Sequence, residues 1–402
     1  MGLQETPSAN RIHIGFFGRR NSGKSSLLNA FCGQSVWIVS AQAGTTTDPV
    51  SKPMEIHGLG PCVLIDTAGF DDTGDLGQSR VERTERAAEK TEIALLLCGG
   101  DAAAADISLD LETAWHAYFR EHKIPVIPVV SKGDLPAYAQ AVAGAVTDCL
   151  GETPVIVSVK TGEGLQELRE RLLRALPEGY GNRSITGDLV QAGDVALLVM
   201  PQDIQAPAGR LILPQVQTIR ELLDKKCMVM SVTTDGLDDA LTALQAPPKL
   251  IITDSQAFRT VSGKKPPESL LTSFSVLFAA QKGDIAYYKD SAEAIGRLTE
   301  RSRVLIAECC THAPLEEDIG RVKLPRMLRQ RCGGGLTVEI VSGTDFPANL
   351  SGYDLIIQCG ACMFNRRYVM SRVERARSQG VPMTNYGVAI AWLAGILDSV
   401  SV

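Results

Sequence analysis

Ile12-His13-Ile14-Gly15-Phe16-Phe17 runs directly into Gly18-Arg19-Arg20-Asn21-Ser22-Gly23-Lys24-Ser25, and Ser26-Leu27-Leu28-Asn29-Ala30-Phe31 follows. The first stretch is apolar and aromatic like a buried strand, the second is a complete G-x-x-x-x-G-K-S, and the third reads as a helix. Strand, loop and helix in that order make a phosphate cradle. Gly18 and Gly23 let backbone N–H groups close on an anion at a helix N-terminus, where the peptide dipoles favour negative charge. Lys24 is placed for the terminal phosphates and the Ser25 hydroxyl for Mg2+, with Asn21, Ser22 and Ser26 completing the cradle.

Four downstream segments, in the order a GTPase requires, make the cradle nucleotide-specific. Gly44-Thr45-Thr46-Thr47-Asp48 has the character of a first switch, and its register selects Thr46 to complete the Mg2+ shell. Asp66-Thr67-Ala68-Gly69 follows the strand PCVLI, which places Asp66 to hold Mg2+ through water and the Gly69 N–H to sense the γ-phosphate. Ser131-Lys132-Gly133-Asp134 follows IPVIPVV as a base-reading segment. There the Asp134 carboxylate accepts from the N1 and exocyclic N2 donors of guanine, and an unpaired buried carboxylate penalises adenine. Ser158-Val159-Lys160 forms the last guanine-contacting segment. Ser131 stands where such segments carry asparagine; its shorter reach predicts the loss of one bridging hydrogen bond and weaker nucleotide binding.

This block resembles the GTPases of the MnmE/TrmE and Era type. Phe70 occupies the post at which other GTPases place a water-orienting glutamine, so a side chain with no hydrogen-bonding capacity sits there. Asn21 matches the asparagine that helps potassium-activated members hold K+ against the phosphates. The resemblance therefore implies slow, K+-stimulated hydrolysis, with Lys24, Thr46, Asp66, Gly69 and Asn21 as the catalytic set.

Outward from the phosphate loop, short apolar strands alternate with helical stretches as far as Leu176, the pattern of a parallel sheet with crossover helices. PEGYGNRSITGD, at 177–188, reads as a linker. A second unit follows, with strands at VALLVM, KCMVMSV and KLIIT, and it ends near SGKKPPES at 262–269. A third carries strands at RVLIAE, LTVEIV and YDLIIQ. The expectation is a three-domain α/β chain: a P-loop GTPase domain at 1–176, a small α/β middle domain at 177–265, and an α/β domain with a parallel sheet at 266–402 that carries the cysteines described below.

Composition narrows the function classes. Lys and Arg number 40 against 46 Asp and Glu, a net charge of −6 with no basic run to lie along a phosphate backbone, so nucleic acid is disfavoured as a partner. Aromatic residues make up only 5% of the 402 positions. The longest apolar stretches fall short of the ~18 residues of a membrane span, and the first dozen residues lack a secretory apolar core. No membrane contact is expected and the location expected is cytoplasmic, where ten cysteines read as reduced thiols serving as core residues or metal ligands.

Two cysteine groups stand out. Cys310-Thr311-His312 lies just past RVLIAE, and Cys359-Gly360-Ala361-Cys362 lies just past YDLIIQ. If those strands are parallel neighbours, both groups emerge at carboxyl ends, where open α/β sheets form their binding crevice. Three thiols and an imidazole suit structural zinc or an iron–sulfur cluster, the alternative being simple core cysteines. Cys32, Cys62, Cys98, Cys149, Cys227 and Cys332 sit singly and read as core. Cys309 is expected to point away from its neighbour if the strand continues.

A GTPase domain, a middle domain and a C-x-H, 46-residue, C-x-x-C domain in one chain resemble the HydF family of FeFe-hydrogenase maturation GTPases. Glu308 to His312, Asp318 to Lys323, Gly209 to Gln215 and Thr272 to Ser275 carry the likeness along nearly the whole length. The resemblance implies a 4Fe-4S cluster on Cys310, Cys359 and Cys362 with an exchangeable fourth position, for which His312 and the acidic run Glu316, Glu317 and Asp318 are candidates. It also implies a scaffold that receives a di-iron precursor with CO, cyanide and dithiolate ligands and passes it to the FeFe-hydrogenase apo-enzyme. Two radical-SAM maturases and a second copy of the chain, bound through the middle domain, are the other implied partners. The competing reading is a redox-sensing or RNA-modification GTPase with an iron–sulfur or zinc clip.

Overall fold

The computed structural model describes residues 7–33, 50–56, 58–70, 75–100, 108–177, 180, 183–201, 211–309 and 319–402. The chain divides into two compact units, 1–181 and 182–402. Among the described residues no helix is long and apolar enough to cross a membrane.

The first unit holds a six-stranded sheet of β1 (Ile12–Gly18), β2 (Val50–Ile56), β3 (Gly60–Asp66), β4 (Ile93–Cys98), β5 (Val126–Val130) and β6 (Val155–Ile156), in the order β2-β3-β1-β4-β5-β6. Five strands run parallel, joined by α1 (Lys24–Gly33), α2 (Asp75–Lys90), α3 (Asp110–Glu121), α4 (Pro136–Leu150) and α5 (Leu165–Arg174). β4 is buried along its whole length, which is why its sequence IALLLC is uniformly apolar rather than alternating. The sheet is not wholly parallel: β2 pairs antiparallel with β3. Its sequence VSKPMEI carries a lysine and a proline, residues tolerated on an edge strand and a weak strand signal when read alone.

The second unit contains two four-stranded, all-parallel sheets. One orders β7 (Val195–Val199), β8 (Met228–Val232), β9 (Leu250–Thr253) and β10 (Leu270–Ser273) as β10-β9-β7-β8. Its helices are α6 (Leu213–Asp224), α7 (Leu237–Ala243), α8 (Phe258–Lys264) and α9 (Phe274–Lys282). After α10 (Ile285–Ala292), the other sheet orders β11 (Arg303–Ala307), β12 (Thr337–Val341), β13 (Leu355–Gln358) and β14 (Met383–Asn385) as β12-β11-β13-β14. Its helices are α11 (Leu324–Cys332), α12 (Arg366–Ser378) and α13 (Tyr386–Leu393).

Sheet topology moves the expected division at 265 and 266. β10 is an integral strand of the middle sheet, paired with β9 from Leu270 to Ser273, so a cut at 265 would remove an edge strand and α9 from the fold they complete. The Pro pair at 266 and 267 is a turn between α8 and β10, not a linker. One continuous apolar core joins the two sheets, running from Leu197 and Ile251 through Val276 and Tyr288 to Val304 and Ile356. The middle and carboxyl-terminal domains expected from sequence are thus two sheets sharing one core.

Candidate nucleotide site and candidate metal centre

At the nucleotide site the parallel pairing of β1 with β3 sets Phe16 beside Asp66. The chain leaves β1 at Gly18 with φ +152°, passes Asn21 and Gly23 with φ of +59° and +94°, and enters α1 at Lys24. These left-handed turns aim the loop's N–H groups inward, and glycine adopts them without the steric cost a Cβ imposes. Lys24 is buried, its Nζ donating to the carbonyls of Gly18 at 2.8 Å and Arg19 at 2.6 Å, so the ammonium is held across the mouth of the loop. Ser25 Oγ donates to Asp66 Oδ2 at 2.8 Å, which brings together the hydroxyl and carboxylate expected around Mg2+. Asp66 Oδ1 and Ser22 Oγ are buried and, among the described residues, without hydrogen-bond partners. Orphaned oxygens at this position fit a cation and a phosphate that would complete them. Ser26 is exposed at the start of α1, and Gly69 lies three residues past Asp66 at the exit of β3.

Two surrounding contacts stiffen this arrangement. Arg19 makes a forked pair with the fully buried Glu112 carboxylate, Nε to Oε1 at 2.9 Å and Nη2 to Oε2 at 3.0 Å, tying the phosphate loop to α3. Phe70 is buried and stacks on Trp115 with ring centroids 5.9 Å apart. It is therefore committed to packing.

The base-reading segments meet at the end of the sheet. Lys160 Nζ donates to Asp134 Oδ2 at 2.6 Å, and Ser158 Oγ lies 3.5 Å from Oδ1. The Lys160 ammonium holds the Asp134 carboxyl below the ordinary aspartate range, so it stays an anionic acceptor for base N–H donors as pH falls. Lys132 has φ +60° and donates to the Gly100 carbonyl at 2.9 Å, and Val159 is partly exposed beside Lys160. Ser131 overturns the expectation of a lost bridge: its Oγ donates to the Ser22 carbonyl at 2.7 Å in a buried contact. A Cβ on Gly23 would lie 3.1 Å from that same oxygen, so the loops approach closely enough for the short hydroxyl to span them. Thr46 lies outside the described residues, as does the rest of 44–48.

In the second unit β11 and β13 are parallel neighbours, with Ala307 opposite Gln358. The chain therefore leaves the two strands at adjacent carboxyl ends, at Glu308-Cys309 and at Cys359. Cys310, His312 and Glu317 lie outside the described residues, as do Glu316 and Asp318. Among the described residues no group of three metal-ligating side chains forms. Cys359 and Cys362 are both part-buried in a tight turn that passes Ala361 at φ +51° and enters α12 behind its Asn365 cap. Cys309, expected to face away, lies against Cys359: its backbone N–H is 3.1 Å from the Cys359 sulfur, and its side chain is buried beside Ala361 and Val369. The strand has ended at Ala307, so strict alternation no longer governs residue 309. Donation by the Cys309 thiol, together with the N–H groups of Ala361 and Cys309, holds the Cys359 thiol below its ordinary range, while burial pushes Cys309 well above its own.

Residues with no motif to announce them surround this turn. Lys282, at the end of α9, is buried and donates to the carbonyls of Ala361 at 3.0 Å, Phe364 at 3.0 Å and Cys362 at 3.4 Å. Asn385 Nδ2 donates to the carbonyls of Gln358 and Cys359 at 3.4 and 3.3 Å. Arg372 is fully buried among the rings of Phe346, Phe364 and Tyr368, 4.8 to 5.0 Å from their centroids. Glu308, just ahead of the cysteines, takes Arg321 Nε at 3.0 Å. A thiol turn underlain by buried cations is suited to thiolate ligation of an anionic iron–sulfur group. Of the single cysteines, Cys62, Cys98 and Cys227 are buried as expected, Cys332 is part-buried, and Cys149 is exposed instead of core; the side chain of Cys32 lies outside the described residues.

The Ser131 bridge generates a prediction. Ser131→Ala removes a hydrogen bond of about 1 kcal/mol and leaves the Ser22 carbonyl unpaired, so GDP affinity should fall about 3- to 10-fold in a fluorescent-nucleotide titration. Unchanged affinity would contradict a bridging role.

Comparison with known proteins gives these sites a family. A "50S ribosome-binding GTPase" family model matches residues 13–132, spanning the phosphate loop, the Asp66 segment and the start of the base-reading segment. The tRNA modification GTPase MnmE of Polaromonas sp. is 35% identical over 233 residues, 53% of this chain and 44% of that protein. MnmE of Bordetella avium is 35% identical over 164 residues, 40% of this chain and 33% of its own. The chain thus spans less than half the length of these relatives. A crystal structure of Aquifex aeolicus Era bound to GDP.AlF4- overlays at a TM-score of 0.34 and 20% identity, over 55% of this chain and 92% of that one. The first unit is a P-loop GTPase domain. Beyond it, the family model of the hydrogen maturase F dimerization domain matches residues 185–283 and that of the tetramerization domain matches 286–401. Those two boundaries coincide with the two sheets of the second unit, and with a GTPase domain ahead of both the chain belongs to the hydrogen maturase F family, HydF.

Proposed function

We propose that this chain is a GTP-hydrolysing carrier that holds a 4Fe-4S cluster on Cys310, Cys359 and Cys362 and ferries a di-iron precursor of the FeFe-hydrogenase active site to the apo-enzyme. The observation that carries the reading is the thiol turn at the carboxyl end of β13, beside Cys309 at the end of β11, over a buried lysine. Two radical-SAM maturases supply the precursor, and the cytoplasm is the compartment in which free thiols of this kind persist. His312 or Glu317 takes the fourth position, weakly enough to yield it to the cargo. When bound, the cluster supplies a labile iron to which a cyanide- or thiolate-bearing partner can attach.

The protein's own groups do the rest. In the GTPase domain Lys24 turns from the carbonyls of Gly18 and Arg19 to the phosphates, Ser25, Asp66 and Thr46 face Mg2+, Gly69 reads the γ-phosphate, and Asp134 selects guanine. With Phe70 stacked on Trp115, transition-state charge falls to Asn21 and K+. GTP acts as a switch of domain arrangement and partner affinity.

A homodimer forms through the middle sheet. β8 is an edge strand, and Met228 on it and Val216 and Leu223 on the neighbouring α6 are exposed large apolar residues. The opposite edge is covered, since Val400 bridges to Leu271 of β10. An edge strand of a parallel sheet with an apolar margin suits pairing with a second copy.

Two tests address the two halves. Anaerobic purification should yield about four irons and four sulfides per chain, lost in Cys359→Ser and retained in Lys24→Ala, which in turn should lose GTP hydrolysis. Stoichiometric zinc without iron would remove the carrier reading and leave the GTPase. Hydrolysis should run severalfold faster in K+ than in Na+, with the difference gone in Asn21→Ala. Equal rates in the two salts would rule out the K+ mechanism.

A further inference from the structure

Lys282 is 4% exposed, and among the described residues no carboxylate pairs with it. Its ammonium donates to three backbone carbonyls of one turn, those of Ala361, Cys362 and Phe364, and the Phe278 ring lies 5.6 Å from Nζ. A buried cation that meets only neutral groups is costly, and such groups are found where another charge arrives to balance them. The sulfurs of Cys362, Cys309 and Cys359 are the acidic groups near enough to act on it electrostatically. A second cation faces the same situation. Arg372 is 1% exposed, with Nε and Nη1 unpartnered among the described residues, Nη2 on the Gly343 carbonyl and the Tyr368 hydroxyl, and the Cys309 sulfur within its electrostatic reach. Among the described residues no carboxylate pairs with either cation, the buried Glu308 being taken by Arg321, so these residues by themselves leave an excess of positive charge beside the thiol turn.

We propose that Lys282 is the counter-charge and positioning residue of the thiolate centre: it pins the C-x-x-C turn through three carbonyls and offsets the negative charge of the cluster ligated there. This rests on the iron–sulfur reading above. Three thiolates outweigh the charge of a 4Fe-4S core in either oxidation state, and one-electron reduction adds to the excess. A fixed ammonium close by, in a medium of low dielectric, favours the more negative state and raises the reduction potential. Lys282 also comes from α9, the last helix of the middle sheet, whose Gln281 and Gly283 carbonyls accept from Arg366 at the start of α12. The element that follows the dimerising sheet therefore supplies the charge that the cluster turn requires.

The test is an EPR-monitored redox titration of the full chain, reconstituted anaerobically with ferrous iron and sulfide and reduced with dithionite. Lys282→Gln keeps N–H donors for the carbonyls and removes the charge, whereas Lys282→Arg keeps the charge. The Gln variant should show a midpoint clearly more negative than wild type, and the Arg variant a midpoint near it. A Gln variant with the wild-type unfolding midpoint that takes up no iron, while the Arg variant loads, has the same meaning. Equal midpoints in wild type and Lys282→Gln would overturn the proposal, as would failure of Arg and Gln variants alike to load. Wild type that takes up no iron removes the reading beneath it, and that outcome is visible before any variant is compared.

Discussion

Parallel pairing of β11 with β13 is the constraint from which the geometry of the cysteine turn follows. Parallel strands present their carboxyl ends on the same edge of the sheet, so residues some fifty positions apart leave neighbouring strands side by side. Cys309 meets Cys359 at those ends, and the turn that carries Cys359 and Cys362 then enters α12 behind its Asn365 cap. The same logic operates in the GTPase domain. There the pairing of β1 with β3 sets Asp66 beside the strand that launches the phosphate loop, and Ser25 on α1 closes on it at 2.8 Å. Both places are strand, tight turn and helix, one carrying the phosphate-loop motif and the other the C-x-x-C motif.

What differs is how each turn is supported. The phosphate loop is braced by side chains from its own unit: Glu112 through Arg19, and Ser131 through the Ser22 carbonyl. The cysteine turn is braced by Lys282 and by Asn385, which arrive from α9 and the end of β14. Because α9 packs into the core shared by both sheets of the second unit, the middle sheet is structurally committed to the cysteine turn. That explains why the family's two assembly domains fold here as one body.

Much of this was legible in the sequence, and the failures are instructive. The phosphate loop, the Asp66 segment and the two base-reading segments each follow an apolar strand, and local spacing locates them. The C-x-x-C turn was readable for the same reason. Edge elements were harder to see: β2 hides behind a lysine and a proline, and β10, four residues long, follows a Pro pair that mimics a linker. Ser131 looked deficient because side-chain length is visible in sequence while the distance to be spanned is not. Lys282 and Arg372 carried no signal at all. A lysine closing an amphipathic helix reads as a solvated end, and only tertiary packing over the cysteine turn makes it a buried charge.

The central claim is that the thiol turn holds a cluster from which a di-iron cargo is handed on. The most direct measurement uses the chain purified anaerobically from cells that also express the two radical-SAM maturases, mixed with FeFe-hydrogenase apo-enzyme and assayed for hydrogen evolution. The account predicts that wild type activates the apo-enzyme and that Cys359→Ser, prepared identically and equally folded, does not. Activation by Cys359→Ser at the wild-type level, or none by an iron-loaded wild type, would contradict it.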